Sequence, residues 1–269
     1  KVILADDATI AVKTNNTAKL TGGLDTATHT LTLVGGGTLQ WQAAQLEATK
    51  IVIGDASTLS LYRTGDGSTA NPVTTGQLFR IGTLQIGSDI TLKAENHASR
   101  IEIAQLVGSG TATMNFGHTS SVISSTIVRG DATYTGTINV SVSDTSSRSA
   151  VFGSDDHDAL SKATIHIASL GNANSKAGFI LANNDGQTIQ IAGISTAESV
   201  SSTQALIVSQ DGLSIASDGD KRTLEIVGSG TNTFGGTVLS GVNLLMNGTG
   251  TQKFTGNLDA FNGTVEVKN

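Results

Sequence analysis

Leu31-Thr-Leu-Val-Gly35-Gly-Gly37-Thr38-Leu-Gln-Trp41 returns twice in this chain. It returns as Leu224-Glu-Ile-Val-Gly228-Ser-Gly230-Thr231-Asn-Thr-Phe234 and as Leu244-Leu-Met-Asn-Gly248-Thr-Gly250-Thr251-Gln-Lys-Phe254. Each copy is a short apolar run, a Gly-x-Gly-Thr bend and an aromatic residue at a constant offset. The last two copies stand 20 residues apart, position for position. Repetition at roughly 20 residues per unit is the signature of a solenoid, in which each unit covers the apolar side of its neighbour. The expected fold class is therefore all-β, with Gly35, Gly37, Thr38, Trp41, Gly228, Gly230, Thr231, Phe234, Gly248, Gly250, Thr251 and Phe254 at equivalent repeat positions.

Outward from these phrases, strand-like runs of four to six residues recur along the chain. They include Thr9–Val12, Lys50–Ile53, Thr58–Leu61, Ile90–Leu92, Arg100–Ile103, Thr137–Val142, Thr164–Ile167, Thr188–Ile191, Ala205–Val208 and Leu213–Ile215. Most alternate apolar with polar residues, the pattern of a half-buried strand. Gly-Asp, Gly-Ser, Asn-Gly and Asp-Gly turn signals separate them. No convincing amphipathic helix appears; the best candidate is Gln42–Lys50, and Asp155–Lys162 is a weaker one. A sandwich calls for two-residue hairpins and more aromatic core, and a propeller blade is about twice as long as this unit. A parallel β-helix fits best. At 20 to 25 residues per circuit it makes roughly 11 to 13 rungs and a rod roughly 50 to 60 Å long.

Composition narrows the function classes. Of 269 residues, 32 are Gly, 1 is Pro and none is Cys; aromatic residues make up 4% and charged residues 14%. Ser, Thr, Asn and Ala take the places that Lys and Glu hold in ordinary domains. The β-branched content suits a pleated surface and argues against disorder. A formal charge of −6, with 16 scattered Lys and Arg and no basic run of three, argues against nucleic acid as a partner. No stretch approaches 18 apolar residues, so no membrane insertion by this segment is expected. The absence of Cys removes disulfides and thiol chemistry. We read residues 1–269 as one β-helix segment of a longer protein, with excursions near 63–76, which holds the one Pro, and near 143–158.

The three phrases, together with Tyr134-Thr-Gly136-Thr137-Ile138-Asn-Val140 and Phe261-Asn-Gly263-Thr264-Val265-Glu-Val267, resemble the autotransporter-associated β-strand repeats of type V secreted proteins. The likeness is clearest over residues 105–140 and 220–269, and fainter near 20–41. The resemblance implies a right-handed β-helix passenger, exported through the outer membrane and displayed at the bacterial cell surface. It also implies a role as an adhesin or as a self-associating factor in aggregation and biofilm. Residues 1–269 show no counterpart of that family's C-terminal outer-membrane barrel, and residues 143–220 show little of the phrase.

Catalytic signatures are missing. There is no Gly-x-Ser-x-Gly elbow, no His-Glu-x-x-His and no phosphate-loop Gly-Lys. The reading is no enzyme, no cofactor, and no catalytic or metal residue. His166, in Thr164-Ile-His-Ile-Ala168, is expected to face out of its strand into solvent. The run Asp155-Asp156-His157-Asp158 offers carboxylate oxygens of the kind Ca²⁺ takes, but without the glycine punctuation of a calcium loop, and reads as an exposed acidic turn. Possible loop contacts are therefore Tyr62, Arg63, Asp155, Asp156 and Asp158. The expected partner is a host-surface or matrix ligand, or the same protein on another cell. The rivals are a passive stalk and a glycan-active β-helix, a lyase-like or tailspike-like enzyme with acidic pairs on adjacent circuits.

Overall fold

The computed structural model describes residues 2–43, 46–63, 78–95, 100–117, 124–130, 133–143, 149–182, 186–209 and 220–268. Among these residues every regular element is a β-strand, and every pairing between strands is parallel. The chain alternates between two sheets. Thr17–Thr21, Thr38–Ala43, Thr58–Arg63, Ile90–Glu95 and their successors stack into an 11-stranded sheet, here called the flank sheet. Ala8–Ala11, Thr30–Val34, Leu46–Ile53, Leu78–Ile86 and their successors form a 10-stranded back sheet. Neither sheet closes into a barrel, and the fold is the parallel β-helix expected. Eleven stacked strands make a rod of roughly 50 Å.

Alternation in sequence becomes alternation in burial. Thr30–Val34 and Thr38–Ala43 bury every second residue. Inward columns then run from circuit to circuit. Leu39, Leu59, Leu92, Met114, Val140 and Ile167 lie in one register on the flank sheet. Phe79, Ile101, Thr126, Phe152, Phe179, Ile207 and Val238 do so on the back sheet. All of these side chains are buried. Stacking like upon like lets a narrow two-sheet interior fill without large aromatic content.

Circuit length varies widely while register holds. Thr38 lies over Thr17 and Thr58 over Thr38, 21 and 20 residues on; Thr91 lies over Thr58, 33 residues on. The longest step pairs Thr188 with Thr223, 35 residues on, and residues 210–219 of that span lie outside the described set. The expected excursion at 63–76 likewise falls on residues 64–77, outside the described residues except for Arg63, which ends its strand. Of the other expected excursion, 143–158, residues 144–148 lie outside the described set. Ser149–Ser154 is a full member of the back sheet, paired to Ser124–Val128 and Lys176–Leu181.

Neither helical candidate forms a helix in its described residues, and the equivalence of the repeat copies needs correction. Gln42–Lys50 is not helical. Its described residues belong to the strands Thr38–Ala43 and Leu46–Ile53, where Leu46, Ala48, Ile51 and Ile53 point inward. Asp155–Lys162 is a turn that leads into the strand Leu160–Leu170. The three repeat copies are also not equivalent. In the first, Leu31–Val34 lies in the back sheet and Thr38–Trp41 in the flank sheet. In the other two, Leu224–Ile226 and Leu244–Met246 lie in the flank sheet, and Thr231–Phe234 pairs with Thr251–Phe254 in a separate two-stranded sheet. Trp41 and Phe234 are fully buried and Phe254 half-buried, but Trp41 stacks between Leu20 and Leu61, whereas Phe234 meets Phe254 edge-on at 6.2 Å.

Candidate functional site

The flank sheet turns its second face outward, and there the register gathers residues that the sequence scatters. Thr17, Thr38, Thr58, Thr91, Thr113, Asn139, His166 and Ser195 occupy one outward position in eight successive circuits. At about 4.8 Å per rung this polar ladder is roughly 34 Å long. Two residues further along each strand, Lys19, Gln40, Ser60, Lys93, Asn115 and Ser141 form a second ladder. A third, shorter one holds Thr21, Gln42, Tyr62 and Glu95.

Local backbone fixes where each ladder begins. The residue two places before the first-ladder threonine has positive φ in four successive circuits: Asn15 at 65°, Gly36 at 73°, Ala56 at 55° and Asp89 at 56°. This left-handed residue turns the chain from the back sheet onto the flank sheet. Thr38 N then donates to Asn16 O at 2.9 Å, Thr58 N to Gly37 O at 3.0 Å and Thr91 N to Ser57 O at 3.0 Å, which locks the rungs in register.

Glu95 is the electrostatic centre of the face. Ser60 Oγ donates to its Oε2 at 2.7 Å, Gln40 Nε2 donates to the same oxygen at 3.1 Å, and Lys93 Nζ pairs with its Oε1. Gln40 is held in turn, since its Oε1 accepts from Gln42 Nε2 at 2.8 Å. Burial pushes the Glu95 carboxyl up, but the hydrogen bonds from Lys93 and Ser60, the Lys93 charge and the Gln40 hydrogen bond outweigh it and hold the pKa below the usual value. Further along, His166 faces outward as expected, yet it is half-buried rather than solvated. Its Nδ1 lies 2.8 Å from Ser195 Oγ, and burial lowers its pKa.

The residues expected from sequence divide between the two outer faces. Tyr62 is half-buried on the flank, in register with Gln42 and Glu95, and Arg63 follows it at the strand end. Asp155, Asp156 and Asp158 follow a back-sheet strand instead, so the structure does not bring them to Tyr62. Asp155 ends a chain of ion pairs up the back sheet. Glu47 meets Arg80 at 3.3 Å, Arg80 meets Glu102 at 3.5 Å, Glu102 meets Arg129 at 2.9 Å, and Arg129 meets Asp155. Arg100 adds a further contact to Glu102 at 2.7 Å. Burial raises Glu102, but the charges of Arg129, Arg100 and Arg80 and the Arg129 hydrogen bond bring its pKa below the usual value. For Asp155 burial wins over Arg129, and its pKa is raised. Among the described residues, three potential cation ligands come together at Asp6, Asp7 and His29, which are exposed or half-buried, and not in the Asp155–Asp158 run.

Two other large aromatic residues lie inside. Trp41 and Tyr134 are fully buried. The Tyr134 hydroxyl lies 2.9 Å from both Gly110 O and Thr137 O, and burial pushes its pKa up to about 12. Sequence reasoning passed over Gln40, Ser60, Lys93 and Glu95 altogether. The available signal was the dipeptide of one polar residue followed by one apolar residue that opens each circuit: Thr38-Leu39, Thr58-Leu59, Thr91-Leu92, Thr113-Met114, Asn139-Val140 and His166-Ile167. Irregular circuit lengths hide it. Comparisons of this chain with known protein families, with curated proteins and with solved structures return no match.

Proposed function

We propose that this chain is a bacterial cell-surface β-helix that mediates adhesion or self-association through its flank sheet. One observation carries the reading: eight successive circuits present a polar side chain at the same outward register. A single hydroxyl or amide contact contributes only about 1 kcal/mol net. A ladder at fixed pitch multiplies such contacts once one rung is engaged, because each further rung binds at high effective concentration. A formal charge of −6 over 269 residues limits repulsion between two rods lying side by side. The repeat phrases support export to an outer surface as an autotransporter passenger, and the same resemblance favours an adhesive role in aggregation or biofilm. Catalysis by paired carboxylates is the less favoured reading, because the register neighbours of Glu95 are Tyr62 and Gly117.

The test is clustering of beads that carry the chain at high density. Wild-type beads should aggregate, and a double variant, Thr58→Arg with Thr113→Arg, should disperse them by charging the ladder. Aggregation that is unchanged in the double variant would remove the flank from the account. Wild-type beads that stay dispersed, with a monodisperse monomer in solution, would favour a passive stalk.

A further inference from the structure

We propose that the depression around Glu95 is a binding site for an uncharged oligosaccharide lying along the rod. This rests on the adhesive reading of the flank and gives that face a ligand class. The depression holds about 360 Å³ and spans the second-ladder rungs between Gln40 and Asn115. That is the lower end of the range for small-molecule sites, enough for one or two sugar rings. Ser60, only 1% exposed, lies at its floor, with Thr58 and Thr91 beside it.

The chemistry of the lining selects the ligand. Its side chains are hydroxyls, amides, one ammonium and one carboxylate, so an apolar guest would leave polar groups without partners. The single cation and single anion, Lys93 and Glu95, neutralise each other. An anionic ligand would meet Glu95 and a cationic one Lys93, so neither sign is favoured. A sugar hydroxyl both donates and accepts, and it matches a surface where Glu95 accepts, Lys93 donates, and Gln40, Asn115 and the threonines do both. The carboxylate is already fixed by Ser60 at 2.7 Å and Gln40 at 3.1 Å, so little side-chain freedom remains to be lost on binding. Tyr62 does not line the depression, but it is next to Glu95 in register on the same outward face, so a sugar chain that runs past Glu95 meets one half-buried aromatic ring on which the apolar face of a pyranose can stack. Because the ladders continue past the depression, a chain of several sugars finds further hydroxyl partners along the axis.

Isothermal titration calorimetry of the purified chain with cellohexaose, laminarihexaose, maltohexaose and mannohexaose, alongside hexagalacturonate, tests this. The expected result is saturable binding of at least one uncharged hexasaccharide. Binding should weaken at least tenfold in the near-isosteric Glu95→Gln and, independently, in Tyr62→Ala, with circular dichroism unchanged. The site is overturned if no uncharged hexasaccharide binds, if hexagalacturonate is preferred, or if both variants bind like wild type. Bead clustering on the same proteins separates the two claims. Clustering without sugar binding removes the saccharide site and leaves the adhesive flank standing. Sugar binding that is lost in Glu95→Gln, from beads that never cluster, keeps the site and removes self-association.

Discussion

The bend at Gly35-Gly-Gly37-Thr38 and the bend at Gly248-Thr-Gly250-Thr251 share a spelling and differ in physics. In the first, Gly35 and Gly36 have φ of 98° and 73°, a conformation that turns the chain from one large sheet to the other, and a Cβ on Gly35 or Gly37 would also overlap the Val12 or Lys13 carbonyl oxygen. In the second, neither Gly248 nor Gly250 has positive φ. These glycines are there because circuits stack backbone on backbone. A Cβ on Gly248 would overlap the Gly228 carbonyl oxygen, and one on Gly250 the Gly230 carbonyl oxygen. The long strand Thr188–Thr196 explains the change. Its first half continues into Arg222–Ile226, and its second half, Gly193–Thr196, pairs with Thr164–Ile167. At the next circuit the chain bends at Gly228. Asn232 then comes against Gly193, and Thr231–Phe234 starts the extra small sheet. A motif can therefore repeat in letters within one chain while needing both dihedral freedom and close approach at one end and close approach alone at the other.

The largest expected effect probes the new small sheet. Phe234→Ala empties a fully buried position and should cost about 4 kcal/mol, whereas Phe254→Ala, half-buried at the outer circuit, should cost about half as much. Hydrogen exchange of Thr231–Phe234 reads the difference, and equal effects would erase the distinction between inner and outer circuits. Next comes the close-approach bend. Gly250→Ala should cost about 2 to 3 kcal/mol. Gly230→Ala, whose Cβ would meet only Asn232 Nδ2 at 3.6 Å, should stay within about 1 kcal/mol. Equal tolerance of both substitutions would refute stacking as the reason for the glycine.

Acid sharpens the comparison from the other side. Glu102 has a folded pKa below its ordinary 4.5, so the stability it adds is fully present above that value and is lost as pH falls through the folded pKa. Glu95 behaves in the same sense, while the raised Asp155 opposes them. Below about pH 4.5, exchange protection over Ile90–Glu95 and Arg100–Ile103 should therefore fall before that over Val242–Phe254. Glu102→Gln should flatten the response, and a uniform loss along the rod would contradict it. The smallest effect is a gain. Ala56 sits at φ 55°, a conformation that costs a non-glycine residue about 1 to 2 kcal/mol, so Ala56→Gly should stabilise the corner by up to about 1 kcal/mol. Destabilisation in a thermal melt would show that the corner tolerates Ala without strain.

Much of the fold was legible. Thr30–Val34, Thr137–Val142 and Val242–Met246 can be read directly from alternation and turn residues, and their boundaries match the strands observed. Other strands escape for identifiable reasons. Leu46–Ile53 carries Leu46 and Ala48 just upstream of Lys50, and Ala43 ends the strand before it, a spacing that suits a helix as well as a strand until the back-sheet neighbours decide. Ser149–Ser154 lies beside a polar, acidic run that masks it. The corner was illegible because Ala56 and Asp89 give no hint of positive φ. The flank was illegible because its residues are 20 to 33 positions apart over the first circuits and meet only through hydrogen-bonded register.

Hydrogen bonds between circuits run along the rod axis, so an axial pull loads them end to end and peels circuits off singly. Height per circuit is set by strand spacing, yet the chain released is not. A circuit of 20 residues, such as Thr223 to Asn243, frees roughly 70 Å of contour, and the 35-residue circuit from Thr188 to Thr223 frees roughly 120 Å. Under such a pull the rod would thus yield graded slack, with short steps near its C-terminal end and a long one immediately behind them.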